Sequence, residues 1–544
     1  MRSRAWSLIA LAALPVGVLG VFFVLPVAGM LERGFVTDAG FDPGAVLDVL
    51  ARPRTRTVVW FTVWTSAVAT TVSVVLGLPA AYALHRLAFP GRSLVRAALL
   101  VPFVLPTVVV GVGFRELLGE AGPLAGLGLD GTPIAILAGL VFFNVAVVIR
   151  TVGATWESLD RRPAEAAAAL GATPVQVFRT VTWPALRPAV VAAASVVFLF
   201  CATAFGVVLT LGGTRSASVE TEIYTLTVDR LDLPAAAALS IVQLLAVVAL
   251  LVVAGRLRAV ADPTVQRTPP RPLRPRSADL PQLAATALLL ALVAAPVVTL
   301  VVGSLQADDG WSLEHYRNLA TTGDDAVPVP VTDALVNSLR TAVDATWMSL
   351  LLGLLVAVAL TRRSRSRAER RVRGVLDGLF MLPLGVSAVT LGFGFFITLD
   401  EPPLDLRSSP LLVPIAQALV ALPLVVRTLV PVLAGVDDRQ RQAAASLGAG
   451  PLRTALTVDV PALARPALAA AGFAFAVSLG EFGATSFLAR YEYPTLPVVI
   501  FRLVGQPGAD TYGMSLAASV LLGAVTVLVM LAVERLRVPA LGAW

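Results

Sequence analysis

Twelve stretches of mainly apolar sequence, each close to the length that crosses a bilayer, constrain this chain more than any other feature. They cover residues 5–31, 58–84, 97–117, 134–149, 188–211 and 235–255, then 281–304, 335–360, 374–399, 411–426, 466–488 and 513–533. A helix needs about 20 such residues to cross the hydrocarbon, and it satisfies its own backbone hydrogen bonds while doing so. The fourth and tenth stretches are short as written and are expected to continue into the polar residues after them. The first follows Arg2 and Arg4 but is too long for the apolar core of a signal peptide and has no small-residue cleavage site, so it is expected to be an uncleaved span. Composition agrees: 57% of the 544 residues are hydrophobic and 14% charged, where soluble domains carry roughly 25% charged residues. The expected fold class is an all-α polytopic membrane protein with about twelve transmembrane helices.

Several chemistries are excluded by what is missing. Every one of the 42 basic residues is arginine, so a P-loop, which needs its lysine at the phosphates, cannot form. Cys201 is the single cysteine, and His85 and His315 are the only histidines. No intramolecular disulfide, thiolate cluster or histidine-built metal site follows from such a set. No nucleophile motif or phosphate-cradling glycine loop stands at a believable spacing. The chain reads as a non-enzyme, with no catalytic residues, no metal and no cofactor of its own.

The arginines orient the spans. With both termini cytoplasmic, 30 of the 42 fall in inside segments, and 362–373 alone holds seven. That is the positive-inside pattern, and it replaces the simpler reading of a basic chain as a nucleic-acid binder. The sequence also repeats itself. Arg150, Gly171, Pro184 and Phe205-Gly206 recur 277 positions later as Arg427, Gly448, Pro461 and Phe482-Gly483. Gly111-Val112-Gly113-Phe114 in the third stretch has a counterpart in Gly392-Phe393-Gly394-Phe395 in the ninth. Six spans per half, each half starting inside, make two parallel six-helix repeats. The expected division is a first half at 1–261, a Pro/Arg-rich cytoplasmic linker at 262–280, and a second half at 281–544. A pathway is expected at the pseudo-twofold interface.

The loop between the fourth and fifth spans of each half carries the motif. The first reads EAAAALG at 165–171, then nine residues, then Val181-Thr182-Trp183-Pro184; the second reads QAAASLG at 442–448, then nine residues, then Val458-Asp459-Val460-Pro461. Each is expected to be a short Ala-rich helix closed by a glycine in a left-handed C-cap, followed by a second amphipathic segment and a proline opening the next span. One such loop would be an ordinary surface helix. Two at matched spacing and position make a pair of rigid elbows offered to a twofold partner.

This spacing resembles the signature loop of the permease subunits of binding-protein-dependent ABC importers, and the resemblance covers nearly the whole chain. It implies that the loops seat on a separate ABC ATPase subunit, expected as a homodimer, which binds the ATP and Mg. Carried over, the coupling residues are Glu165, Ala166, Ala167, Gly171 and Pro184, and Gln442, Ala443, Ala444, Gly448 and Pro461. Gln442 stands where the motif has glutamate, which implies unequal coupling by the two halves. The resemblance also implies an extracytoplasmic solute-binding protein as partner and a multi-pass location in the bacterial plasma membrane. Two units fused in one chain are most similar to the thiamine and iron(III) importer permeases. Val141-Phe142-Phe143-Asn144, the run 208–213 and Glu222-Ile223-Tyr224 favour the thiamine branch, with iron(III) as the alternative. Ser478–Gly483 and Thr495-Leu496-Pro497 resemble both branches.

Ionisable residues inside spans mark pathways or interhelical bonds. Glu481, between Gly480 and Gly483 in the eleventh stretch, is a candidate pathway residue or an interhelical hydrogen-bond partner. Asn144, beside two phenylalanines, lines the path or packs between helices. Asp344 is expected to pair with Arg340, one turn away. Pro102, Pro106 and Pro383 are expected to kink the third and ninth spans. The long outer loops 212–234 and 489–512 are candidate docking surfaces for a binding protein. A proton-coupled secondary transporter with six-plus-six topology is the reading from another class, though it leaves the paired elbows unexplained.

Overall fold

The computed structural model describes residues 12–37, 40–42, 44–213, 216–259, 273–307, 310–323, 325–361, 367–381, 386–400 and 404–535. Ten helices among them are long and apolar enough to cross a membrane. In the first half these are span 1 (Ala12–Phe35), span 2 (Pro53–Arg86), span 4 (Pro133–Ser158), span 5 (Pro174–Ala202) and span 6 (Leu233–Val253). In the second half they are span 7 (Ser277–Ser304), span 8 (Val331–Thr361), span 10 (Leu412–Gly435), span 11 (Ala455–Leu479) and span 12 (Ala509–Val533). Spans 4 and 10 do run on beyond their apolar cores, as expected. The fold is almost wholly helical; two antiparallel two-residue ribbons follow spans 1 and 7, pairing Val36–Thr37 with Gly40–Phe41 and Gln306–Ala307 with Gly310–Trp311.

Span 3 differs from expectation, because it is broken rather than kinked. Helices Arg92–Phe103 and Thr107–Leu118 meet at 103°. Pro106 lacks an N–H and forces the residue before it away from helical geometry, so the helix stops and restarts at Thr107. In the second half the helices are Arg367–Met381 and Ala388–Thr398, the latter started by the Ser387 hydroxyl accepting from the Thr390 amide at 3.0 Å. Pro383, most of the linker at 262–272, and both chain ends lie outside the described residues.

The paired glycines of the third and ninth stretches acquire a reason. A Cβ on Gly113 would stand 2.9 Å from the Pro296 carbonyl oxygen in span 7, and one on Gly394 would stand 2.9 Å from the Pro26 Cβ in span 1. Each half therefore lends its first span to the other half, against helix Thr107–Leu118 in one case and Ala388–Thr398 in the other. Within each half, span 2 packs on span 4 and span 8 on span 10. Gly77 closes on Val148 and Gly353 on Val425, two further contacts that a side chain would block.

The stretches expected as outer loops are folded inward instead. Residues Val219–Val228 form a first inserted helix and Leu496–Gly505 a second. Val219 through Ile223, and Leu496 through Ile500, are all buried. Residues 228–231 at the end of the first, and 491–493 and 505–510 around the second, stay exposed. A matched strap holds each start: the Val219 amide donates to Thr62 Oγ1 (2.9 Å), and the Leu496 amide to Ser338 Oγ (2.7 Å).

Candidate coupling elbows and midline path

The two elbows are built on one plan. The first is helix Arg162–Ala169, opened by the Asp160 carboxylate accepting from the Arg162 amide at 3.0 Å; the second is helix Asp438–Ser446, opened by Asp437 accepting from the Arg439 amide at 2.9 Å. Both end at a left-handed glycine, Gly171 at φ +88° and Gly448 at φ +81°. Around them Gly171 donates to the Ala168 carbonyl and Ala172 to Ala167, while Gly448 donates to Ala445 and Ala449 to Ala444. This is the paired closure that satisfies the last carbonyls of a helix, as the Ala-rich motif leads one to expect. A short helix, Pro174–Val177 or Pro451–Thr454, then passes through a π-turn, Phe178–Thr182 or Ala455–Asp459. Pro184 and Pro461 sit in the first turn of the helix that follows each.

The predicted coupling residues stand together on these knobs. Glu165, Ala166, Gln442 and Ala443 are exposed, and Ala167 and Ala444 are half-buried against the bundle. At the tips, Leu170 is 90% and Leu447 88% exposed, two leucines at repeat-related positions with nothing among the described residues to cover them. What holds each knob differs. Under the first, Trp156 meets Phe178 at 6.4 Å between ring centroids, and Phe178 meets Trp183 at 6.3 Å. Under the second, Arg441 bonds Asp459 (2.9 Å), Asp438 (2.9 Å) and the Leu433 carbonyl (3.3 Å). Partial burial pulls the Arg441 guanidinium down, but its hydrogen bonds to Asp459 and Asp438 outweigh it and hold the group above its ordinary range.

At the midline, the repeat-related Phe205 and Phe482 stack with centroids 5.3 Å apart and planes 26° from parallel. Tyr224 of the first inserted helix meets Phe205 at 5.5 Å, and Phe501 of the second meets Phe482 at 5.4 Å. Beside this cluster is a cavity of ≈ 370 Å³ whose lining includes Arg115, Thr210, Tyr224, Phe482, Phe501 and Arg502. Neither Glu481 nor Asn144 lines it.

Sequence comparison names the machine. Residues 73–267 and 349–537 match the family described as the binding-protein-dependent transport system inner membrane component. The chain belongs to this family. It is a multi-pass inner-membrane permease of the ABC importer class, and the secondary-transporter reading falls. The permease is 29% identical to the thiamine transport system permease protein ThiP of Brucella abortus over 541 residues, 95% of either chain. It is 30% identical to ThiP of Escherichia coli over 473 residues, 84% of this chain and 85% of that one. It is also 26% identical to a probable ABC transporter permease of Sinorhizobium fredii, over 95% of this chain and 94% of that one. Among solved structures, a bacterial ABC transporter involved in the import of the polysaccharide alginate matches at 16% identity and a TM-score of 0.39, over 48% of this chain and 96% of that one, too loosely to carry an argument.

Two placements in the permease, Glu481 and Asp344, differ from the sequence reading, and Asn144 follows its packing alternative. Glu481 is not within the helix of span 11, which ends at Leu479; it occupies the turn after it, 7% exposed, accepting from the amides of Ala484 (2.7 Å) and Thr485 (3.0 Å). The helix ends before Glu481, and its carboxylate takes the free N–H groups of the next helical turn. Asp344 accepts from the Trp347 indole at 3.1 Å rather than pairing with Arg340. Asn144 is buried between spans 4 and 5, donating to the Leu140 carbonyl (2.9 Å) and to Cys201 Sγ (3.4 Å).

Other polar groups escaped the sequence reading. Glu220, with no exposed surface, accepts from Gln243 (3.0 Å) and from Ser387 of the other half (2.9 Å). Glu222 is buried and takes both Nε and Nη2 of Arg54, at 3.1 and 2.8 Å. A signal for them exists: Ser218 caps the inserted helix and two acids stand in its first turn, a start pattern that the expectation of a plain loop obscured.

Proposed function

We propose that this permease imports thiamine, delivered on its outer side by a binding protein and driven by a separate ATPase dimer seated on the two elbows. The observation that carries the reading is the elbow pair: two rigid knobs of one geometry, each tipped by a leucine that the described residues leave bare. Burying a leucine is worth about 1.5–3 kcal/mol, so each tip invites a partner groove. The chain has no lysine and hence no P-loop, which assigns ATP and Mg to that partner. Arginine-rich segments on the elbow side support placing elbows and termini in the cytoplasm.

Thiamine is favoured over iron(III) by two supports. The relatives matched over nearly the full length are thiamine permeases. The cavity lining offers aromatic faces from Tyr224, Phe482 and Phe501, which suit flat heteroaromatic rings. Among its described lining residues there is no carboxylate, the oxygen donor that a hard ferric ion seeks. Purification in mild detergent with mass spectrometry is expected to recover a stoichiometric P-loop ATPase, and the assembled complex to accumulate labelled thiamine in proteoliposomes. Recovery of no ATPase would end the coupling reading; accumulation of iron(III) in place of thiamine would change the substrate.

A further inference from the structure

The two inserted helices share one neutral strap, the Thr62–Val219 and Ser338–Leu496 hydrogen bonds at repeat-related positions. Beyond that strap they are held by different chemistry. The first is anchored by charge. Glu222, its carboxylate 3% exposed, binds Arg54 of span 2 at 2.8 Å and Arg230, just past its own helix, at 3.6 Å. Asp232 pairs with Arg52 at 2.8 Å. Glu220 ties the same helix to Gln243 of span 6 and to Ser387 across the pseudo-twofold. In the second half the positions of Arg54, Glu222 and Arg230 are filled by Pro330, Val499 and Pro507. Its inserted helix is buried through Leu496, Val499, Ile500 and Leu503, apolar contacts that are non-directional and allow one surface to slide on another.

A buried carboxylate held by two guanidinium groups that reach it from the surface resists displacement, because leaving its partners strands a buried charge. We infer that Glu222 is a positioning residue that makes the first inserted helix a fixed wall of the path, so that its repeat mate, Leu496–Gly505, is the element that moves to open and close the midline. In that motion the Phe482–Phe501 contact separates while Phe205–Tyr224 persists. The cavity beside Phe482 then enlarges from one side only.

Hydrogen exchange on the full chain in lipid nanodiscs tests the clamp without any partner. Amides of 496–505 are expected to exchange at least tenfold faster than those of 219–228. Glu222→Gln is expected to erase that contrast by accelerating the first helix alone, with span 4 unchanged, and Glu222→Asp to restore part of it. Equal rates in the native chain, or acceleration spread over the whole molecule in the variant, overturn the inference. Should Glu222→Gln fail to fold, Arg230→Gln is expected to accelerate the same helix more weakly; no acceleration again overturns it. A second arm uses the assembled transporter with Cys201→Ser. Oxidising a Ser338→Cys/Leu496→Cys pair is expected to stop uptake, and a Thr62→Cys/Val219→Cys pair to spare it; the reverse, or arrest by both, refutes the one-sided gate. A chain that shows the exchange contrast yet recovers no ATPase would keep the clamp and sink only the proposed function.

Discussion

The two elbows have the same backbone and different foundations. Their helix ends, left-handed glycines, π-turns and tip leucines correspond position for position at an offset of 277. Beneath them the first stands on the tilted ring contacts of Trp156, Phe178 and Trp183, whose repeat mates are Leu433, Ala455 and Val460. The second stands on Arg441, bound to Asp459 and Asp438, where the first half has Ala164, Thr182 and Arg161. Under the proposed function a shared partner surface reads backbone geometry, and both copies have the same one. The means of holding that geometry is free to diverge, and an aromatic cluster or an ionic strap serves. The inserted helices teach the same lesson more sharply, since there the difference in anchoring separates a fixed element from a moving one.

The comparison can be broken most forcefully at the feature both elbows share. Gly171→Val with Gly448→Val forces a β-branched residue into left-handed geometry twice and is expected to abolish retention of the partner ATPase. Each single change is expected to reduce it to a similar extent, measured by pull-down stoichiometry; a large inequality would show that the partner does not read the two knobs alike. Next in size are Leu170→Asn and Leu447→Asn. Each is expected to weaken ATPase binding about tenfold, the value of one buried leucine, while leaving the melting temperature of the isolated permease unchanged.

Smaller effects sharpen the difference between the foundations. Arg441→Ala is expected to lower thermal stability by about 1 kcal/mol, in line with a partly exposed ion pair. Asp459→Asn added to it should cost little more, because both act through one strap. Full additivity in a double-mutant cycle would mean the strap is not a unit. The least effect is expected from Glu165→Gln, which makes the two motifs alike. It should change ATP-driven uptake by less than about twofold, the scale of an exposed charge. A larger loss would place a charge-assisted contact at the first elbow alone.

Much of the fold and of the elbows is legible in the sequence. Hydropathy marks spans because the bilayer's thickness imposes a length, and the glycine at each elbow is readable because few other residues tolerate its φ. The 277-residue echo already pairs Phe205 with Phe482, the two rings that stack at the midline. Glu481 illustrates where legibility stops: its apolar neighbours suggest a helix interior, and only the local chain break shows it capping the next turn. The inserted helices read as loops because their polar residues, Glu220 and Glu222 among them, are matched inside the protein rather than by water.

By itself, then, the sequence determined which segments are long and apolar enough to cross a membrane, that the chain holds two copies of one unit, and where its two knobs stand, since each depends on local length, periodicity or backbone conformation. Tertiary structure alone decided that each half borrows the other's first span, that Gly113 and Gly394 exist to admit Pro296 and Pro26, and that Arg54 finds Glu222 168 positions away. Those contacts depend on crossing angles and on which face of a nearly uniform apolar helix meets which neighbour. Hydropathy says that such a helix is buried in lipid or protein; it does not say against what.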